Sequence, residues 1–226
     1  MTRPIRAGNV LIRPLLVNGR PLKSLNQHDN KVRAERQVHL PGKQENSRYL
    51  DQVTDKRTRS IKYYLHTASH AIIELLVREQ VGTLVIGKNA FWKQNVEMGK
   101  KKNQSFVFIP HARFIAMLQY KAELVGIQVI LINERYTSKC SFLDLELLGH
   151  HDQYVGKRPK RGKFVTATGR MLNADVNGSY NIMRKAVPAV VSQGTASFLL
   201  TPTFLSFPDR KQDRTKQIPK KKLPHK

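Results

Sequence analysis

Two carboxylates stand out in this chain because each lies where a predicted element begins or ends. Glu134 follows an apolar run at 127–132, and Asp175 lies at the predicted start of a helix. In open α/β sheets, binding sites form beyond the carboxyl ends of strands. Mg²⁺ and Mn²⁺ prefer carboxylate oxygens, and two-metal phosphodiester chemistry needs several converging acids. Glu134 and Asp175 are therefore the candidate ligands of a divalent-metal site.

Each carboxylate also has a plainer interpretation. Asp175 or Asn173 could cap the helix that begins there. Glu134 is close in sequence to Arg135 and Lys139, so a surface salt bridge would account for it without any metal. The sequence leaves both alternatives open.

A strand, a helix and a second strand are predicted to position Glu134. The apolar runs at 83–87 and 127–132 predict buried strands, and Pro110 opens a helix that ends near Gly126. Strands that are almost continuously apolar on either side of a helix are typical of a βαβ crossover in an α/β core. The other predicted elements are a hairpin over 9–23 turning at Asn18–Gly19, an exposed helix from Ser24 to Pro41, a helix over 61–81, a basic hairpin over 156–172 and a helix over 173–185.

The charge balance predicts a polyanionic partner. The 226 residues carry 40 Lys and Arg against 16 Asp and Glu, a formal net charge of +24. Such a surface repels itself unless nucleic acid or an anionic membrane surface neutralises it. No run approaches the roughly 20 apolar residues of a membrane span, and no signal peptide is evident. We therefore expect DNA or RNA as the partner, no membrane, and a cytoplasmic location.

Basic runs near aromatic side chains are the predicted nucleic-acid contacts. The cations would bind phosphates, and Trp92 or Tyr154 would stack on bases, although a solvated surface is the alternative for these runs. The predicted contacts are Trp92, Lys93, Lys100, Lys101, Lys102, Arg135, Lys139, Lys157, Arg158, Lys160 and Arg161.

Cysteine and histidine usage predicts no zinc. Cys140 is the single cysteine, so the chain can form no internal disulfide and lacks the paired ligands of a zinc ribbon. The pairs His66/His70 and His150/His151 are interpreted as polar surface.

Four ordered blocks resemble the TnpB/OrfB family of transposon-associated nucleases. The resemblance covers about residues 10–188, with sensible spacing between blocks. The blocks are Asn103–Pro110, Tyr120–Ile127, Tyr136–Asp144 and Asn173–Ile182.

The resemblance implies an RNase-H-like (RuvC-type) mixed sheet with flanking helices. It also implies Mg²⁺- or Mn²⁺-dependent DNA cleavage directed by a guide RNA. Asp175 matches the family's third catalytic acid. The usual second acid would fall at Gly87, and we expect Glu134 to replace it from the next strand, since paired strands lie only about 5 Å apart.

The chain also departs from the family pattern. Residues 1–28 contain no Asp or Glu, so the family's first catalytic acid has no counterpart, and Ser141–Asp144 stands where many members have a second cysteine. We expect an N-terminally truncated member that lacks its first strand and is catalytically impaired, or a non-catalytic DNA- or RNA-binding remnant. A ribosome-associated basic protein fits the charge but does not explain the blocks.

The expected domain organisation has two parts. Residues 1–188 would form the nuclease domain, with basic insertions near 88–104 and 150–172. Residues 189–226 would form a basic, largely disordered tail.

Overall fold

The computed structural model describes residues 14–42, 44, 46–88, 110–188 and 202–207. These residues form a mixed α/β arrangement, and their strands make three two-stranded sheets, β1–β6, β2–β3 and β4–β5. In chain order the elements are β1 (Leu15–Val17), α1 (Arg20–Gln37), α2 (Arg48–Arg78), β2 (Thr83–Gly87), α3 (His111–Leu124), β3 (Gln128–Ile132), β4 (Lys163–Val165), β5 (Met171–Asn173), α4 (Ala174–Ala186) and β6 (Thr203–Leu205).

The described residues divide into two compact units. One unit contains residues 18–69, 110–114 and 206–207, and the other contains 14–17, 70–88, 115–188 and 202–205. Both predicted carboxylates belong to the second unit.

The predicted βαβ crossover is confirmed. β2 and β3 pair in parallel, in a register that runs from Thr83 opposite Gln128 to Gly87 opposite Ile132. α3 ends at Leu124 and Gly126 follows it with a φ of +75°, a conformation that glycine adopts without strain. β2 is half-buried throughout, and β3 exposes Gln128 and Leu131, so neither strand is fully buried as predicted.

The predicted hairpin at Asn18–Gly19 is wrong. β1 pairs in parallel with β6, with Leu15 opposite Thr203. Gly19 has a φ of −83°, and the Asn18 side chain accepts a hydrogen bond from the N–H of Arg20 at 3.1 Å. Pro21 lies in the first turn of α1, where its fixed φ suits a helix and its missing N–H costs nothing. The chain therefore enters a helix where a second strand was expected.

β6 lies within the expected C-terminal tail. Thr203–Leu205 forms a strand inside the stretch predicted to be largely disordered. Residues 189–201 and 208–226 are outside the described part of the chain, and the disordered tail stays a prediction there.

In the first unit, α1 is longer and less exposed than predicted. It begins at Arg20 and buries Leu22, Asn26 and Asp29, which recur at helical spacing. Asp29 is 1% exposed and accepts a hydrogen bond from Arg57 on α2 at 2.9 Å. Pairing of this kind is what a buried carboxylate requires.

In the second unit, α4 packs beside a short hairpin. β4 and β5 pair antiparallel, which confirms the basic hairpin over a narrower span than predicted. Phe164, Leu172 and Ala174 form one core cluster, while Phe142, Val176 and Tyr180 form another. The start of α4 is thus fixed by apolar packing on both of its flanks.

Candidate metal and nucleic-acid site

Asp175 is not the cap of α4. Asn173 occupies that position, and its Oδ1 accepts hydrogen bonds from the N–H groups of Asp175 at 2.8 Å and Val176 at 3.3 Å. The exposed Asp175 carboxylate makes no hydrogen bond or ion pair with any described residue. The first turn of a helix is also a favourable place for a negative charge. The carboxylate is therefore available as a ligand.

Glu134 is not held in a salt bridge either. It is half-buried and follows β3, and its backbone carbonyl accepts hydrogen bonds from the N–H of Thr137 at 3.2 Å and the hydroxyl of Thr137 at 2.7 Å. Among the described residues, which include Arg135 and Lys139, none forms an ion pair with Glu134. Like the Asp175 carboxylate, the Glu134 carboxylate is therefore not bonded to any described residue.

The Glu134 side chain fills the space that a side chain at position 87 would take. A Cβ built on Gly87 would lie 3.0 Å from Oε2 of Glu134, 3.1 Å from Cβ of Glu134 and 2.6 Å from Cδ1 of Ile182. These distances are shorter than an ordinary van der Waals contact. Glu134 thus lies against the position where the TnpB/OrfB resemblance places the usual second acid.

Glu134 and Asp175 line one cleft of about 500 Å³. The α4 side of this cleft carries Asp175, Gly178, Ser179 and Ile182, which share a helix face because they are spaced by three or four residues. The other residues that line it are Arg135, Tyr136, Thr137, Ser138, Lys139, Arg158 and Ala174.

Three of the basic residues predicted to contact nucleic acid line the same cleft as the two acids. Arg135, Lys139 and Arg158 line it together with Glu134 and Asp175, so residues of both charges border one space. Carboxylates can hold a hard divalent cation, and guanidinium and ammonium groups bind phosphate oxygens. The arrangement therefore suits a metal ion and a phosphodiester together.

The other predicted nucleic-acid contacts are not in the cleft. Lys157, Lys160 and Arg161 are exposed but do not line it, and the backbone of Lys157 pairs with Val165. Their role in phosphate binding stays a prediction. The predicted contacts outside the described residues are Trp92, Lys93, Lys100, Lys101 and Lys102.

Tyr154 is a poorer stacking platform than expected. The Lys139 ammonium lies over its ring at 5.5 Å from the centroid, and the His151 ring packs edge-on at 5.4 Å. The half-buried Tyr154 therefore already has neighbours at its ring.

Two buried asparagines were missed by the sequence argument. Asn177 and Asn181 are both 0% exposed, and their amides donate hydrogen bonds to the carbonyl of Cys140 at 2.8 Å. The available signal was the spacing of two poor helix formers four residues apart in a predicted helix. This spacing places both amides on one face, toward the loop that follows Glu134.

Cys140, Glu146 and His151 also converge, with one ligand atom of each within 4.8 Å of the others. Both Glu146 carboxylate oxygens already accept backbone N–H groups, from Ser141 at 2.6 Å and Val155 at 2.9 Å. Counting cysteines could not reveal this group, because two of its members are Glu and His. The expectation of no zinc therefore stays a prediction.

Two family models match the chain. The one described as “Probable transposase” matches residues 9–93, and the one described as “Cas12f1-like, TNB domain” matches 111–182, which include both acids. Together with the curated relative described below, these matches support a TnpB/OrfB family member. The resemblance inferred from the four sequence blocks is thus confirmed.

One curated TnpB/OrfB relative is the “TnpB-like protein ORF457” of Acidianus two-tailed virus. It is 30% identical over 138 residues, which are 61% of this chain and 27% of the relative. A solved chain from the “Cryo-EM structure of the Cas12f1-sgRNA-target DNA complex” is 19% identical with a TM-score of 0.48. The alignment covers 71% of this chain and 42% of that one. The chain thus spans about a quarter of the viral relative and under half of the solved chain.

None of the described helices combines the length and the apolarity that a bilayer crossing requires.

Proposed function

We propose that this TnpB/OrfB chain binds nucleic acid and holds Mg²⁺ or Mn²⁺ at Glu134 and Asp175, in a core of the RNase-H-like (RuvC) type. The observation that carries the proposal is that Glu134 and Asp175 line one cleft while no described residue engages the carboxylate of either. Carboxylate oxygens that no protein group engages are open to a divalent cation, which prefers such ligands.

The chemistry of the donor set fits a hard divalent cation. When bound, such an ion polarises a phosphodiester and stabilises the charge that develops during its hydrolysis. Glu134 and Asp175 would hold the ion, while Lys139 and Arg158 would orient the phosphate backbone across the cleft. Arg135 adds a third positive group at the same wall.

We propose that DNA is the substrate and that a guide RNA selects it, as in the family. The chain would act in the cytoplasm of a prokaryote, on the nucleoid when bound to DNA. Two acids alone give a weak metal site, because affinity rises with the number of charged ligands. We therefore expect slow cleavage by the chain in isolation.

The acids are tested by measuring Mn²⁺ binding to the full-length chain by electron paramagnetic resonance. Asp175→Asn and Glu134→Gln should each weaken binding by about tenfold or more, because each removes one charged ligand. Asp152→Asn and Glu123→Gln are matched controls, since both residues are exposed and neither lines the cleft. A wild-type chain without Mn²⁺ affinity, or site variants that bind like the controls, would overturn the metal site.

A non-catalytic nucleic-acid binder is the second candidate, and the net charge of +24 favours it. It predicts affinity for DNA or RNA that falls steeply with salt, because phosphate contacts release counterions. Cleavage distinguishes the two candidates. Mn²⁺-dependent cutting that Asp175→Asn abolishes supports the nuclease, and tight salt-sensitive binding without cutting supports the binder.

A further inference from the structure

The loop after β3 is fastened to α4 by three side chains of that helix. Asn177, Asn181 and Lys185 are each four residues apart, so they lie along one face of α4. We call these three side chains the α4 donor stripe. Because an α-helix has 3.6 residues per turn, the α4 donor stripe lies next to the helix face that carries Asp175 and Ile182.

Each member of the α4 donor stripe binds a backbone carbonyl of this loop. Lys185 donates to the carbonyl of Asn133 at 2.8 Å. Asn181 donates to those of Thr137 at 2.9 Å and Cys140 at 2.8 Å. Asn177 donates to the Cys140 carbonyl at 2.8 Å and accepts the N–H of Phe142 at 2.9 Å. The stripe thus fastens both ends and the middle of the segment 133–142.

The loop needs such support because its own conformation is strained. Tyr136 has a φ of +68°, which is unfavourable for a residue with a bulky side chain. Within the loop, the Tyr136 carbonyl accepts hydrogen bonds from the N–H groups of Lys139 at 3.0 Å and Cys140 at 3.2 Å. A turn held in a sparsely populated conformation persists only where its surroundings fix it.

We infer that the α4 donor stripe is a positioning device that fixes the loop bearing Glu134 against the helix bearing Asp175. This inference rests on the proposed metal site. Lys185 is bonded to Asn133, the residue directly before Glu134, so it acts closest to the carboxylate. The three side chains act through the backbone, and none of them lines the cleft.

Lys185 offers the cleanest test because it is exposed and its replacement leaves the core intact. In Lys185→Met, hydrogen–deuterium exchange of the peptide 134–140 should become about fivefold faster, since one charge-assisted anchor is lost. Lys185→Arg keeps a donor of similar reach and should restore slow exchange. Lys163→Met is the matched control, as Lys163 is an exposed lysine of the same unit outside the cleft. Unchanged exchange in Lys185→Met would overturn the inference.

Mn²⁺ affinity is a second measurement, because a purely structural role of Lys185 would not weaken it. Removing a positive charge beside a cation site should tighten Mn²⁺ binding if Coulomb repulsion alone mattered. Positioning predicts the opposite sign, a weakening of about threefold or more in Lys185→Met that Lys185→Arg reverses. Tighter or unchanged binding in Lys185→Met would contradict the positioning role.

Asn181→Ala is a deeper change and should accelerate exchange more strongly, because Asn181 anchors two carbonyls. If that variant does not fold, Lys185→Met still decides the question. The exchange measurement also separates the two proposals. A wild-type chain that binds no Mn²⁺ defeats the metal site, whereas the exchange rates of Lys185→Met and Lys185→Arg test the anchoring without any metal.

Discussion

Replacing Gly87 by alanine tests whether Glu134 and Ile182 meet over β2. The added methyl would lie 2.6 Å from Cδ1 of Ile182 and 3.0 Å from Oε2 of Glu134. Carbon atoms in contact prefer about 3.5–4.0 Å, so the contact with Ile182 is about 1 Å too short. Overpacking costs about 1–3 kcal/mol, while removing a glycine from a strand returns about 0.5–1 kcal/mol. We expect the free energy of unfolding to fall by about 1–2 kcal/mol.

A second variant shows whether the loss comes from this contact. Ile182→Val removes Cδ1 and by itself costs about 0.5–1.5 kcal/mol. Combined with Gly87→Ala it should cost about 1 kcal/mol less than the sum of the single changes, because the shortest contact is gone. Urea unfolding of the four proteins measures this coupling. Gly82→Ala is the matched control, since its methyl would meet nothing within 4 Å.

The same substitution also acts on the proposed metal site. The methyl at position 87 would push the Glu134 carboxylate from its place, so Mn²⁺ affinity should fall by about threefold or more in folded protein. Gly82→Ala should bind like wild type. The packing of Glu134 and Ile182 against β2 would be refuted by a Gly87→Ala variant as stable as wild type. It would also be refuted if the stability effects of Gly87→Ala and Ile182→Val were additive.

Two further predictions concern the core beside α4. Gly156→Ala should lower the free energy of unfolding by about 3 kcal/mol, because its methyl would lie 2.4 Å from the fully buried Phe164 ring and 3.2 Å from the Val165 carbonyl. Gly149→Ala, whose methyl meets nothing within 4 Å, is the control in urea unfolding, and equal stability of the two variants would contradict the packing. Burial raises the pKa of Tyr180, so the stability it contributes is complete below its unfolded pKa of about 10 and is lost as pH rises through the higher folded pKa. Tyr180→Phe should therefore lose less stability than wild type between about pH 9 and pH 11, and parallel unfolding curves across that range would show that Tyr180 does not titrate in this way.

The sequence could predict the βαβ crossover because its signals are local. The apolar run at 83–87 and the stop at Gly126 depend on neighbours along the chain. β1 shows the opposite case. Its partner is Thr203–Leu205, almost 190 residues away, and no local pattern identifies such a partner. Asn18–Gly19 is typical of a hairpin turn, whereas Pro21 is typical of the first turn of a helix, and the chain forms the helix.

The candidate site was predictable in its residue types and less so in its contacts. The scarcity of acids directed attention to Glu134 and Asp175, but their local sequence could not separate a ligand from a cap or a salt bridge. The bonds of Asn173 exclude the cap, and the absence of a partner for Glu134 among the described residues removes the salt bridge. The anchoring by Asn181 and Lys185 depends on loop carbonyls distant in sequence, which no spacing reveals.

The glycine at 87 and the glutamate at 134 are best understood as one feature. Gly87 is opposite Ile132 in the parallel register, and Glu134 is two residues beyond Ile132. Side chains two residues apart in an extended chain point to the same side, so Glu134 can turn back over the neighbouring strand. A Cβ at 87 would lie 3.0–3.1 Å from atoms of Glu134 and 2.6 Å from Cδ1 of Ile182, so these side chains would have to shift to accommodate it. Glycine at 87 therefore leaves Glu134 the space that it occupies beside β2, at the position where the TnpB/OrfB resemblance places the usual second acid.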